Sequence, residues 1–189
     1  KGHQRFVWNL RYKQPRGANR GLAIAAVQYN TVSGPVGPFV APGTYKIQLK
    51  VNGEVTEQSI KILLDPRSEM SDEALSLQTS LSLQCYQNYE KLQVIREAID
   101  AMKNANASKK ATLSKFRGNG SPNNGDVVYG SISITDVASE TLVSLQSKLL
   151  YLMNVIQNSD AKPTKKTQEA SALLNKRVLE MELIWKSMK

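Results

Sequence analysis

The side chains that could support catalysis in this chain are mainly carboxylates. Glycoside hydrolysis, for example, needs two carboxylic acids held at a fixed distance across a concave site. The acids that qualify by chemistry alone are Asp65, Asp72, Glu73, Asp126 and Asp136. Each also has a plainer role, as a turn residue or in the first turn of a helix, where negative charge is favourable. The sequence therefore predicts no catalytic residue in this segment.

The sequence also contains few residues that could bind a metal ion or a cofactor. His3 is the only histidine and Cys85 the only cysteine, and no cluster of acids with them has the spacing of a zinc site. The apolar neighbours of Cys85 favour a small core residue over a nucleophile. The glycines between residues 118 and 125 are not followed by the Lys-Ser/Thr pair of a phosphate loop. We expect no metal site and no cofactor.

Four arginines near the N-terminus are the candidate binding residues: Arg5, Arg11, Arg16 and Arg20. They could form a face that contacts a glycan or another polyanion, because residues 1–67 hold ten Lys and Arg against three Asp and Glu. The interpretation that we favour is that they keep a sheet soluble and protect its edge. Nucleic acid is a disfavoured partner, because no basic run exceeds two residues and the two tryptophans are far apart.

The apolar period changes at Asp65-Pro66. Before this point apolar residues alternate, which predicts a strand over residues 5–12 and a weaker one over 21–29. A hairpin follows, because Asn52-Gly53 is the preferred pair for a type I′ turn. That turn pairs Tyr45 with Ile60 and Leu49 with Thr56. Four strands are too few for a sandwich, which usually takes about seven. We therefore expect an Ig-like β module over 1–66, and we infer either that its earlier strands belong to the parent protein and are missing here or that another surface covers this sheet.

After Asp65-Pro66 the apolar residues recur every third or fourth position, which predicts helices. Ser68 or Ser71 can cap a long helix over about 69–106, and a short helix over 108–117 and a loop over 118–134 follow. Two further helices are predicted over 136–158 and 164–188, with Thr164 as the cap of the second. The predicted stripes are Ala74, Leu77, Leu81, Cys85, Leu92, Ile95, Ile99 and Met102, then Ala138, Leu142, Leu145, Leu149, Leu152 and Ile156, then Ala170, Leu174, Val178, Met181, Trp185 and Met188.

These elements predict an α+β chain, in which a small antiparallel Ig-like β-sandwich is followed by an antiparallel helical bundle over 67–189. The leucine seams can pair within one chain or between two copies, so a homo-oligomer stays open. No apolar run reaches the length of about 20 residues that spans a bilayer, and no membrane span is expected.

Several of these pieces resemble a known family. The Trp-Asn-Leu-Arg-Tyr of residues 8–12, Gly37-Pro38, the Pro-Gly-Thr-Tyr of residues 42–45 and the hairpin after it are similar to the Ig-like module near the C-terminus of secreted bacterial BNR-repeat, or sialidase-like, glycosyl hydrolases. The Ser-Asp-Ala-Lys-Pro-Thr of residues 159–164 resembles the end of the same proteins. The two N-terminal motifs also look like the Ig-like domain of flagellar hook-capping proteins.

The resemblance implies a parent protein with an N-terminal β-propeller that carries the sialidase-like motifs, and it implies a secreted, periplasmic or cell-surface location. None of those motifs occurs in this sequence. Our leading hypothesis is a non-catalytic C-terminal scaffold or interaction module that packs against the propeller. One alternative is a part of a glycoside hydrolase that contributes to glycan binding or hydrolysis, and another is a polyanion-binding module. Whether the parent is an active enzyme stays open.

Overall fold

The computed structural model describes residues 2–18, 35–102, 106–122, 134 and 140–188. In these ranges the chain is a mixed α+β protein, with one two-stranded antiparallel sheet and four helices, which confirms the predicted class. The elements are β1 (Gly43–Val51), β2 (Glu54–Ile62), α1 (Asp72–Asp100), α2 (Ala107–Arg117), α3 (Leu142–Gln157) and α4 (Lys165–Met188). The strand predicted over 21–29 and most of the loop predicted over 118–134 lie outside the described residues.

The hairpin has the predicted register. Tyr45 lies opposite Ile60 and Leu49 opposite Thr56. The turn residues Asn52 and Gly53 have φ values of 51° and 93°, the positive angles that a type I′ turn requires. Because side chains alternate between the two faces of a strand, this register places the large apolar residues of β1 on one face together with Ile60 and Ile62, whereas Val55 lies on the other face with the lysines.

The prediction of a strand over residues 5–12 is wrong. Arg11 alone forms a bridge, to Phe39, and residues 2–9 have no strand conformation. Leu10 has a φ of 56°, a left-handed conformation that a regular strand cannot contain. The indole Nε1 of Trp8 also donates to the carbonyl oxygen of Arg11 at 3.0 Å, which folds the segment back on itself. The ring of Trp8 lies edge-on to Tyr45, with 5.7 Å between centroids, so the segment still packs beside the start of the hairpin.

Side chains cap each helix. The hydroxyl of Ser71 accepts from the backbone N–H of Ala74, so α1 begins at Asp72, later than the predicted start at 69. Thr141 and Ser144 form a capping box, and α3 therefore begins at Leu142. The earlier start predicted at 136 falls among residues that are not described, but Glu140 and Thr141 are not helical. The hydroxyl of Thr164 accepts from the N–H of Thr167, as expected for the cap of α4.

Helices α1, α3 and α4 pack pairwise around one hydrophobic core. Gln78 of α1 donates to the carbonyl oxygen of Ile156, whereas Gln146 donates to the carbonyl oxygen of Tyr89, so α1 and α3 run antiparallel. On the predicted stripe of α1, five of the eight residues are buried, and the α3 seam from Leu142 to Ile156 is buried throughout. No helix within the described ranges combines the length and the apolar character needed to cross a bilayer.

Candidate interaction surface

Two of the four predicted arginines lie against the helices. The guanidinium of Arg11 lies over the ring of Phe39, 3.4 Å from the centroid, and its Nη1 donates to the carbonyl oxygen of Gly37 at 3.0 Å and to Oε1 of Gln157 at 3.2 Å. Burial lowers the pKa of Arg11 from its ordinary value. Because Gln157 ends α3, this arginine fastens the N-terminal segment to that end of the helix.

Arg16 is held by α1. Its Nε lies 2.6 Å from a carboxylate oxygen of Glu90, and its Nη1 lies 2.8 Å from one of Glu97. The hydrogen bond to Glu90 raises the pKa of Arg16. The hydroxyl of Tyr89 donates to the carbonyl oxygen of Arg16 at 2.7 Å. Gly17 follows with a φ of 64°, and a Cβ there would come within 2.6 Å of Nε2 of Gln93. These contacts cross the predicted boundary at residue 66, and the division into two domains stays a prediction.

The other two arginines have different positions. Arg5 is exposed, and Arg20 lies outside the described residues. The structure therefore brings Arg11 and Arg16 to the junction with the helices but does not gather the four residues on one strand face. Their role in glycan or polyanion contact stays a prediction.

The candidate acids are placed as helix-start and turn residues. Asp65 accepts two hydrogen bonds from the guanidinium of Arg67, and these bonds lower its pKa. Asp72 and Glu73 are consecutive residues in the first turn of α1, and they line an open depression of about 530 Å³. Two acids on one turn do not face each other across a site, as glycoside hydrolysis requires. Asp126 and Asp136 lie outside the described residues.

The histidine and the cysteine also have simple environments. His3 is exposed. The thiol of Cys85 is buried in the helical core, and this burial raises its pKa to about 12, so it is protonated at neutral pH. Within the part of the chain that the structure describes, no group of three or more His, Cys, Asp and Glu side chains could hold a metal ion.

The helical core contains two buried polar clusters that sequence reasoning missed. In one, Gln146 of α3 donates to the side chain of Gln93 and to the backbone of Tyr89, and accepts from Nη1 of Arg96. In the other, the carboxylate of Glu140 is 1% exposed and accepts from both Lys148 and Arg177. These side chains bond one another between elements of the helical part, although the buried Nε of Arg96 has no hydrogen-bond partner among the described residues. The clusters therefore help to fix how α1, α3 and α4 pack. The polar types of these residues gave no signal that they would be buried.

Among the residues that the structure describes, one face of the hairpin is unusually rich in exposed apolar side chains. We define the hairpin apolar face as Tyr45, Ile47, Leu49, Val51 and Ile60, which the register places on one side of the sheet. Leu49 is 62% exposed, Val51 52% and Ile47 48%. Every Cα atom of β1 and β2 lies more than 8 Å from every Cα atom of the four described helices. The hairpin apolar face is thus open to solvent along most of its length.

Further apolar side chains lie in the same part of the chain. Phe6 is 89% exposed and Leu63 71%, and Trp8 contacts Tyr45 at the base of the hairpin. The opposite face of the hairpin carries Lys46, Lys50 and Lys61. Contiguous exposed apolar surface on a soluble protein marks an interaction site, and an isolated two-stranded hairpin is only marginally stable in water. The geometry therefore identifies the hairpin apolar face as the candidate functional site.

Comparison of the chain with known protein families, with curated proteins and with solved structures finds no match.

Proposed function

We propose that this chain is a non-catalytic scaffold and interaction module, whose hairpin docks on another β-sheet surface while its helices hold the N-terminal segment in place. The observation that carries the proposal is the hairpin apolar face. The local sequence specifies its register, and within the described ranges Ile47, Leu49 and Val51 stay exposed on it. A sheet that buries neither of its faces needs a partner to be stable.

In this proposal the hairpin belongs to an Ig-like sandwich whose remaining strands come from elsewhere. Helices α1, α3 and α4 form an up-down-up bundle, and α2 lies beside it. The directions of the helices support the bundle, because Asn88 bonds Asn175 and Gln84 bonds Ser171, so α1 and α4 run in the same direction. The contacts that Arg11 and Arg16 make with the helices would then hold the β part in a fixed position relative to the bundle.

In this proposal, which follows the resemblance of the sequence motifs, the module lies at the C-terminal side of a sialidase-like β-propeller in a secreted, periplasmic or cell-surface protein. The docking partner in this proposal is the propeller itself. The module would brace or orient the propeller, and any glycan chemistry would belong to the propeller. Asp65 is bonded to Arg67, and Asp72 and Glu73 are consecutive residues in the first turn of α1, so each has a structural role that supports a non-catalytic module.

The experiment that tests the proposal compares the parent protein with a form that lacks residues 68–189. We expect the deletion to lower the unfolding temperature of the remaining protein and to weaken the contact between the propeller and the β module. Unchanged stability together with unchanged contacts would refute the scaffold role. In parallel, the isolated chain is assayed against a panel of sialosides and polysaccharides. Turnover that one acidic substitution abolishes would show that the segment is catalytic.

A further inference from the structure

We propose that the partner of the hairpin apolar face is an apolar β-sheet surface bordered by carboxylates. This inference rests on the proposed function and specifies the chemistry of the surface that the hairpin binds.

The shape of the face favours a sheet as the occupant. Ile47, Val51 and Ile60 are β-branched, and Tyr45 is aromatic, so the face is built from the residue types that pack well on a pleated surface. Two sheets pack face to face about 10 Å apart, with the apolar side chains of both faces interdigitating. Strand β1 has the alternating pattern of one such inner face along its whole length, whereas β2 contributes Ile60 and also the polar residues Glu54, Thr56 and Gln58 to the same face.

The size of the face argues against a second copy of this chain. Strands of nine residues span about 30 Å, and two strands about 5 Å apart present a face of roughly 300 Å². A stable interface buries about 800 Å² on each partner. A pair of hairpins alone would therefore bury too little surface. A larger sheet that extends past the hairpin and also covers Trp8, which contacts Tyr45, would bury more surface.

The positive charges around the hairpin apolar face indicate which side chains border the surface of the partner. Lys46 lies 3.5 Å from Glu57, but Lys50 and Lys61 form no ion pair with the described residues. Both strands are edge strands, so these long side chains can reach round the edges of the hairpin. The excess of Lys and Arg in residues 1–67 adds to the positive potential. Two copies with this charge would repel each other, whereas a surface bordered by Asp or Glu would be attracted.

The test uses two synthetic probes and the isolated chain. The first probe is a cyclised β-hairpin peptide with Val and Ile on one face and Glu along both edges, and the second carries Lys in place of every Glu. Binding is measured by calorimetry at low and at physiological salt. We expect the acidic peptide to bind at least about tenfold more tightly than the basic one, and its affinity to fall with added salt.

Two matched variants locate the binding. Leu49→Glu puts a carboxylate into the hairpin apolar face, and Ser59→Glu adds the same charge on the opposite face. We expect the first to weaken binding of the acidic peptide about tenfold or more, and the second to have a much smaller effect. Both variants should unfold at the temperature of the unchanged chain, because Leu49 is 62% exposed and Ser59 is also exposed.

Several results would overturn the inference. They are equal affinity for the two peptides, no affinity for either, and equal effects of the two variants. A dimer that Leu49→Glu dissociates would make a second copy the occupant, and a large drop in the unfolding temperature of Leu49→Glu would mean that the chain itself covers the face. If the peptides fail to bind while deletion of residues 68–189 still destabilises the parent protein, the inference alone fails and the scaffold role stands.

Discussion

The buried carboxylate of Glu140 allows the packing of the helices to be tested by a single substitution. Glu140 precedes the N-cap of α3, and its oxygens lie 2.6 Å from Nζ of Lys148 and 2.7 Å from Nε of Arg177. The Lys148 side chain is 8% exposed, whereas that of Arg177 is 25% exposed. Glu140 thus neutralises a nearly buried ammonium on α3 and joins the start of that helix to α4. The perturbation is Glu140→Gln, which keeps the shape of the side chain and removes its charge.

The expected cost follows from how much water each cation can reach. Removing one partner of a buried ion pair costs about 3–5 kcal/mol, because the other charge stays in the protein interior. Arg177 is partly exposed and also bonds Glu180, so it can be solvated and adds little. The ammonium of Lys148 carries most of the penalty. We therefore expect the free energy of unfolding to fall by about 3 kcal/mol, the low end of that range.

The assay is urea unfolding followed by circular dichroism at neutral pH. The control is Glu169→Gln, because that carboxylate is 64% exposed and lies 3.9 Å from Lys165, in a pair worth less than about 0.5 kcal/mol. The double variant Glu140→Gln with Lys148→Met removes both charges. It should cost about 2 kcal/mol less than the sum of the two single changes, because the single variants each leave a charge behind.

A loss below about 1 kcal/mol for Glu140→Gln would refute this reasoning, since it would show that the ammonium of Lys148 does not depend on Glu140 for its stabilisation. Additive effects in the double variant would refute it as well, because they would show that Glu140 and Lys148 do not interact. A loss for Glu169→Gln equal to that of Glu140→Gln would show that burial does not determine the cost.

Three further predictions concern the core of the helical part. Ser82→Ala should raise the free energy of unfolding by up to about 1 kcal/mol, because the buried Oγ has no hydrogen-bond partner among the described residues; a loss of stability in urea unfolding would contradict this. Cys85 should react with a thiol reagent only after unfolding, because its thiol is buried. Folding raises the pKa of this thiol from 9.0 to about 12, so between these two pH values the thiol loses its proton in the unfolded state but keeps it in the folded state. Stability should therefore fall above pH 9 by up to about 1.4 kcal/mol per pH unit, and Cys85→Ala should reduce that slope; equal slopes would disprove the assignment. Tyr89→Phe should cost about 1 kcal/mol, because its hydroxyl donates to the carbonyl oxygen of Arg16, and protease cleavage near residue 16 should become faster; an unchanged cleavage rate would refute the link between α1 and this segment.

The parts of the fold that the sequence predicted are those that depend on local chemistry. The hairpin register follows from Asn52-Gly53 and from the alternation of Tyr45 to Val51, because a two-residue turn fixes every pair beyond it. The buried seam of α3 follows from the spacing of its apolar residues, which recur every third or fourth position. Caps such as Ser71 and Thr164 were visible as well, since a capping side chain bonds the backbone only three residues later.

The parts that the sequence did not predict depend on contacts between distant residues. Residues 5–12 have the pattern of a strand, but Leu10 takes a left-handed conformation and Trp8 bonds the backbone of Arg11. Arg16 bonds a glutamate 74 positions further along the chain, and Arg11 a glutamine 146 positions away. The alternating pattern of residues 5–12 suited a solvated outer face for Arg11, and nothing local to either arginine pointed to these partners. In the candidate site, the apolar face was predictable from the hairpin, but its exposure was not.

Hydrogen exchange at the amides of β1 and β2 tests the central claim most directly, when it is measured in the isolated chain and in the full parent protein. If the hairpin apolar face docks on another sheet, these amides should exchange quickly in the isolated chain and about a hundredfold more slowly in the parent. Equal exchange rates in the two proteins would contradict the claim that this face is an interaction surface.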